Sequence, residues 1–204
     1  MSGSTDEGEL EQAIHATWLL ALTGCRLGEI VKLKWNEIDH TGGCFRREDS
    51  KEGASIRPVG KSAFDIISGV KVDDDYPFVL RPARRGTMFG GMPGAWKRIA
   101  KRAKLEGVTL HILRHSFASI AGDLGYSEPT IAAMLGHSAA TVTSRYIHHL
   151  DVVLIAAADR VAAEIHCAMT GLRAGPSSSG KVSPDWIANA GHRGSSISAF
   201  ISAE

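Results

Sequence analysis

Apolar residues recur every four positions at Leu10, Ile14, Trp18 and Leu22, so the stretch from Glu9 to Leu22 is predicted to be a helix that Gly24 ends. Residues 1–8 are small, polar and acidic, and a flexible N-terminus is predicted there. A second short helix is expected from Leu27 to Trp35, turning Ile30, Val31 and Trp35 inward. Thr41-Gly42-Gly43 breaks the pattern. Cys44 to Glu48 and Ser55 to Val59 then read as two short strands joined by a turn at Ser50-Lys51-Glu52-Gly53, with Pro58 suited to an edge or a strand end. Ser62 to Ser68 reads as a short helix and Pro77 to Leu80 as a third extended piece.

A glycine-rich loop from Gly86 to Gly94 leads into a two-faced helix: Trp96, Ile99, Ala103 and Leu105 on one side, Lys97, Arg98, Lys101, Arg102 and Lys104 on the other, with Gly107 closing it. Residues 111–124 continue the helical period. Ser127, followed by Glu128 and Pro129, starts another helix that ends at Gly136, and Ser138 is placed to cap a short one leading towards Tyr146. Asp151 to Met169 is alanine-rich and amphipathic through Val153, Ile155, Val161 and Ile165, a last helix. Periodicity is lost beyond Gly171, where a disordered tail over residues 171–204 is predicted. The elements sum to an α+β fold, mainly helical with one small antiparallel sheet, in one domain over residues 9–170.

Composition narrows this little. At 204 residues, with 44% hydrophobic and 22% charged side chains, the chain is an ordinary globular one. No apolar run approaches the ~18 residues of a membrane span, and the first residues lack the basic-then-apolar order of a signal peptide, so a cytoplasmic protein with no membrane partner is expected. Cys25, Cys44 and Cys167 are widely spaced and suggest neither a disulfide framework nor a zinc site. The net charge of +1 argues against a nucleic-acid partner in the mean. It hides a local asymmetry: from Arg81 to Lys104 there are eight basic residues and no acidic one, either a solvated face or a DNA-facing stripe.

The chemistry concentrates between His111 and Tyr146. Leu110-His111-Ile112-Leu113-Arg114-His115 is followed by Leu135-Gly136-His137, then by Tyr146 nine positions past His137; upstream lie Thr23-Gly24-Cys25-Arg26-Leu27-Gly28-Glu29 and Lys51 at a hairpin tip. Two guanidiniums, two imidazoles, an ammonium and a phenol suit a phosphodiester. An arginine fork stays cationic and can hold two phosphate oxygens at once. In this wording and order, over about residues 10 to 165, the chain resembles the catalytic domain of the tyrosine recombinases, the phage-integrase family.

The resemblance implies a fold and a reaction. Arg26 and Arg114 would grip the non-bridging oxygens and His137 would hydrogen-bond one of them. Tyr146 would attack phosphorus and leave a 3′-phosphotyrosine, with His111 as its proton acceptor and Lys51 protonating the departing 5′-oxygen. A second 5′-hydroxyl would reseal the backbone without ATP. No cofactor or divalent metal is required, because fixed cations neutralise the phosphate. The implied partners are double-stranded DNA and other recombinase protomers, a tetramer on DNA and a monomer alone, with the helix from Asp151 or the tail behind it packing on a neighbouring protomer.

Simpler readings stand beside these. Arg26 alone would be a surface arginine, Lys51 a soluble turn residue, His137 a polar residue at a helix junction and Tyr146 a core tyrosine. Glu29 reads as an orienting partner or a helix-start acid. His111 and His115 have the spacing of a zinc pair, but Ile112 stands where the glutamate of that motif belongs and Arg114 would repel the cation; His115 is read as a packing or supporting residue. Neither Ser116 nor Ser119 lies in a nucleophile elbow. Three functions remain open: a site-specific recombinase, a type IB topoisomerase-like nicking and closing enzyme, and a non-catalytic DNA-binding remnant. Family members carry a helical core-binding domain ahead of the catalytic one, so a fragment or a truncated integrase is expected, with activity of this chain alone left open.

Overall fold

The computed structural model describes residues 3–47, 55–73, 75–82, 89–105, 107–136 and 152–171, with side chains described from residue 11 onward. The long first helix, α1 (Gly3–Thr23), runs through the centre of the molecule. It starts earlier than the apolar spacing predicts. Of the predicted stripe Leu22 is fully buried and Ile14 and Trp18 partly so, but Ala13, Ala16, Leu19, Leu20 and Ala21 are buried as well. A helix packed on several sides has no single apolar face for a period to reveal.

Short α2 (Leu27–Val31) and one 3₁₀ turn (Trp35–Glu37) lead into a three-stranded antiparallel sheet of order β1 (Ile38–Asp39), β2 (Cys44–Arg47), β3 (Ser55–Pro58). The β2–β3 hairpin appears where the sequence puts it, and Pro58 ends the edge strand β3. The expected third extended piece does not join that sheet. Instead Trp35 N–H donates to Pro77 O at 3.0 Å and Val79 N–H to Leu33 O at 2.9 Å, which also explains why α2 stops short of Trp35.

Then come α3 (Lys61–Ser68), α4 (Met92–Arg102), α5 (Leu110–Asp123), α6 (Glu128–Leu135) and α7 (Val152–Thr170). Pro93 sits in the first turn of α4, where its missing N–H costs nothing. The helix ends before Gly107: Lys104 takes φ 54° and Leu105 N–H reaches back to Ala100 O at 2.8 Å, closing the last turn on itself. In α6 the sequence signals hold at both ends, with the Ser127 hydroxyl accepting from Thr130 N–H and Gly136 as the left-handed cap.

The core is continuous. Leu19 and Leu22 of α1, Phe45 of β2, Ile67 of α3, Met92 of α4, Phe117 of α5 and Met134 of α6 are all essentially inaccessible. The helix α7 closes it by burying Ala157, Ala158, Val161, Ala162, Ile165 and Met169 on this chain's own α1, α3 and α5. Its small residues permit close approach: Gly60 at the start of α3 packs on Ala162, and Lys61 N–H donates to Asp159 Oδ1 at 2.6 Å. Residues 152–170 therefore pack in cis. The disordered tail predicted beyond Gly171 and the short helix expected after Ser138 lie outside the described residues. Among the described residues, no helix is long and apolar enough to cross a membrane.

Candidate active site

The site is built where α1 ends, α2 begins, and α5 and α6 meet. Gly24 makes the turn after α1 at φ 61°, a conformation that favours glycine, and a Cβ there would fall 2.7 Å from Leu135 and 2.9 Å from Phe117. The tight turn delivers Arg26 to the residue just ahead of α2. Its backbone N–H donates to Glu29 Oε2 at 2.7 Å, so Glu29 is the orienting, helix-start acid that the Arg-x-x-Glu spacing suggests. The Arg26 guanidinium stays largely exposed, 3.5 Å from Glu29 Oε1.

Arg114 comes from α5 and is buried beneath that turn. One terminal nitrogen donates to Gly24 O and the other to Leu135 O at 3.0 Å, clamping the guanidinium plane between the end of α1 and the end of α6. Burial lowers its proton affinity from the usual arginine range, and the neighbouring Arg26 and Arg57 charges lower it further. Such a site is short of negative charge. An anion placed at it would offset the repulsion between these cations.

Sequence reading passed over two members of this cluster. Alternation along β2 and the β3 register put Arg47 and Arg57 on the face of the hairpin shared by Phe45, and both guanidiniums are buried. Arg57 Nη2 bonds Glu29 Oε1 at 2.5 Å, and Arg47 Nη1 lies 3.6 Å from the same oxygen. Three guanidiniums thus share one carboxylate. Burial raises the Glu29 carboxyl pKa, but hydrogen bonds from Arg26 and Arg57 and their charges outweigh it and leave it below the usual range. The signal was present in Phe45-Arg46-Arg47: a strand that buries position 45 also buries 47.

His111 lies in the first turn of α5, exposed, three residues from Arg114. His115 is also exposed and sets its ring edge-on to His111 with centroids 4.5 Å apart, so it supports that imidazole and does not pack in the core. Lys51, His137 and Tyr146 lie outside the described residues, as do Arg84 and Arg85 of the basic run. Gly136, immediately before His137 in the sequence, caps α6 in the left-handed conformation. Of the remaining run, Arg81 is taken up by Asp73 at 2.7 Å, whereas Lys97, Arg98, Lys101, Arg102 and Lys104 are all exposed along α4 and its end.

Residues 7–152 match the phage integrase family. The chain is 29% identical over 157 residues to the tyrosine recombinase XerD of Listeria innocua serovar 6a, covering 71% of this chain and 52% of that one. It is 29% identical over 142 residues to a shufflon-specific DNA recombinase of Escherichia coli (66% and 34%) and 28% identical over 129 residues to the integrase of Haemophilus phage HP1 (62% and 34%). The chain spans about half, or less, of the length of these curated relatives. Its fold is similar to the crystal structure of XerA recombinase, with a TM-score of 0.51 at 22% identity over 76% of this chain and 62% of that one. The match runs through both described arginines and most of the ordered core: the chain belongs to the phage integrase family, the tyrosine recombinases.

Proposed function

We propose that this chain is the catalytic domain of a site-specific DNA recombinase, cutting and rejoining duplex DNA through a 3′-phosphotyrosine. The observation that carries the reading is the Arg114 guanidinium, buried and fixed by two carbonyls beside the exposed Arg26, in a cluster where three further guanidiniums, those of Arg26, Arg47 and Arg57, share the Glu29 carboxylate. A cation held that rigidly is pre-organised for charge that develops on a phosphate, and losing one such donor costs about 2.7–4 kcal/mol of transition-state stabilisation by analogy with oxyanion holes.

In this mechanism Arg26 and Arg114 bind the non-bridging oxygens, and His137 bonds one of them. The Tyr146 phenol gives its proton to His111 as its oxygen forms the new bond to phosphorus; the bond to the 5′-oxygen breaks, and Lys51 protonates that oxygen. The phenol starts roughly 4 kcal/mol from ionised at pH 7, which the surrounding positive charge offsets. The curated relatives are named as recombinases and integrases, which favours strand exchange over nicking and closing. The exposed lysines and arginines of α4 would lie along the DNA backbone. Assembly of several protomers on DNA is part of the same proposal.

The test is a duplex nicked close to the cut, so that the short released strand diffuses away and the protein is trapped on DNA. A covalent complex that resists denaturant is expected from the native chain and not from Tyr146→Phe. Its absence from both, with DNA still bound, would point to a non-catalytic DNA-binding protein.

A further inference from the structure

Leu113, Arg114 and Phe117 face the core from α5, which leaves His111 and His115, one turn apart, on its exposed side. Their rings stand edge-on at 86° with centroids 4.5 Å apart. Two imidazoles on one tetrahedral metal, each with a nitrogen about 2.0–2.1 Å from the ion, put their ring centres roughly 5 Å apart. The pair is therefore already close to the spacing of a chelate.

Arg114 counts against a cation here when only the sequence is read, but the fold turns its charge away. Its terminal nitrogens donate to Gly24 O and Leu135 O, on the core side of the helix. Ile112 still stands where a metal-activated water would need its base, so the pair can hold an ion without using it for hydrolysis. Two nitrogen ligands suit zinc, nickel or copper, whereas magnesium and calcium take oxygen. Among the described residues no third histidine, cysteine or carboxylate joins the pair, which leaves the other positions on the ion to water.

A neutral imidazole has one N–H and one lone pair. Once that lone pair is bonded to a metal it cannot accept a proton. We infer that His111 and His115 form a two-imidazole site for a divalent transition metal, and that an ion bound there switches strand cleavage off by occupying the lone pair with which His111 takes the tyrosine proton. The switching rests on the strand-transfer reading above; the binding of the ion does not.

The experiment titrates Zn²⁺ and Mg²⁺ calorimetrically into the native chain, His111→Ala and His115→Ala, with thermal unfolding to establish that each is folded. Cleavage of the nicked duplex is timed for each without metal, at saturating Zn²⁺ and after EDTA. The native chain is expected to bind one more zinc ion than either variant, with no such difference for Mg²⁺. Zinc should slow native cleavage about a hundredfold or more, the worth of a positioned proton acceptor, and EDTA should restore it. In His115→Ala zinc should leave the metal-free rate of that variant unchanged. If that variant cleaves too slowly to time, the native titration decides: loss of cleavage must follow the binding of the ion that the variants lack. Equal zinc binding by the three proteins overturns the site. Zinc bound at the pair with native cleavage unchanged, or inhibition that persists in His115→Ala, overturns the switch. A metal-free native chain that gives no Tyr146-dependent complex overturns the strand-transfer reading and the switch with it, and the site then stands or falls on the calorimetry.

Discussion

At the level of single residues, Glu29 is where electrostatics and folding are most tightly joined. Its carboxyl titrates below the ordinary range in the folded protein, so its contribution to stability is present above the unfolded value of about 4.3 and is lost as pH falls through the lower folded value. Urea unfolding between pH 7 and pH 3 should show this as a loss of stability on acidification that Glu29→Gln flattens. At neutral pH, Glu29→Ala should cost about 3–5 kcal/mol, because Arg57 and Arg47 would be left buried without their counter-charge. A cost under about 1 kcal/mol, the worth of a surface pair, would show the cluster to be solvated. Arg26, Arg114 and Glu29 were legible because short motifs carry them on adjacent turns of chain. Arg57 was not, since its bond to Glu29 depends on the strand register that sets it opposite Phe45.

At the level of elements, the sequence marked helices best where their ends carry chemistry. Ser127 and Gly136 bound α6 as predicted, and Pro93 fixes the start of α4 inside the glycine-rich loop. The start of α1 and its buried face were not legible, because a central helix obeys contacts from several neighbours and no single period. The element with the clearest two faces is α4. Met92, Ala95, Trp96 and Ile99 are buried, Trp96 also tying its indole N–H to Val108 O at 2.9 Å, while Lys97, Arg98, Lys101 and Arg102 are exposed. If this face follows DNA phosphates, replacing Lys97 and Lys101 by Gln should weaken binding equally on unrelated duplexes and reduce the slope of log affinity against log salt by about 0.9 per lost contact. An unchanged slope would reduce α4 to a solvated face.

At the scale of the molecule, the position of α7 decides what the chain can do without a partner. Resemblance suggested that the last helix, or the tail behind it, packs on a neighbouring protomer. Over Val152–Thr170 the structure instead spends the apolar face of that helix on its own core, from Ala157 to Met169. Giving α7 to a neighbour would uncover α1, α3 and α5 unless another copy replaced it. This could not be read from periodicity, which shows that a face is apolar and not whose core it covers. Ile165→Ala, at 5% exposure, should therefore destabilise the isolated chain by about 2–5 kcal/mol. If α7 packs in cis, the midpoint of urea unfolding should fall by the same amount at every protein concentration. A midpoint that rises with concentration would mean that the helix is exchanged between copies in solution, and the core drawn here would then belong to a dimer.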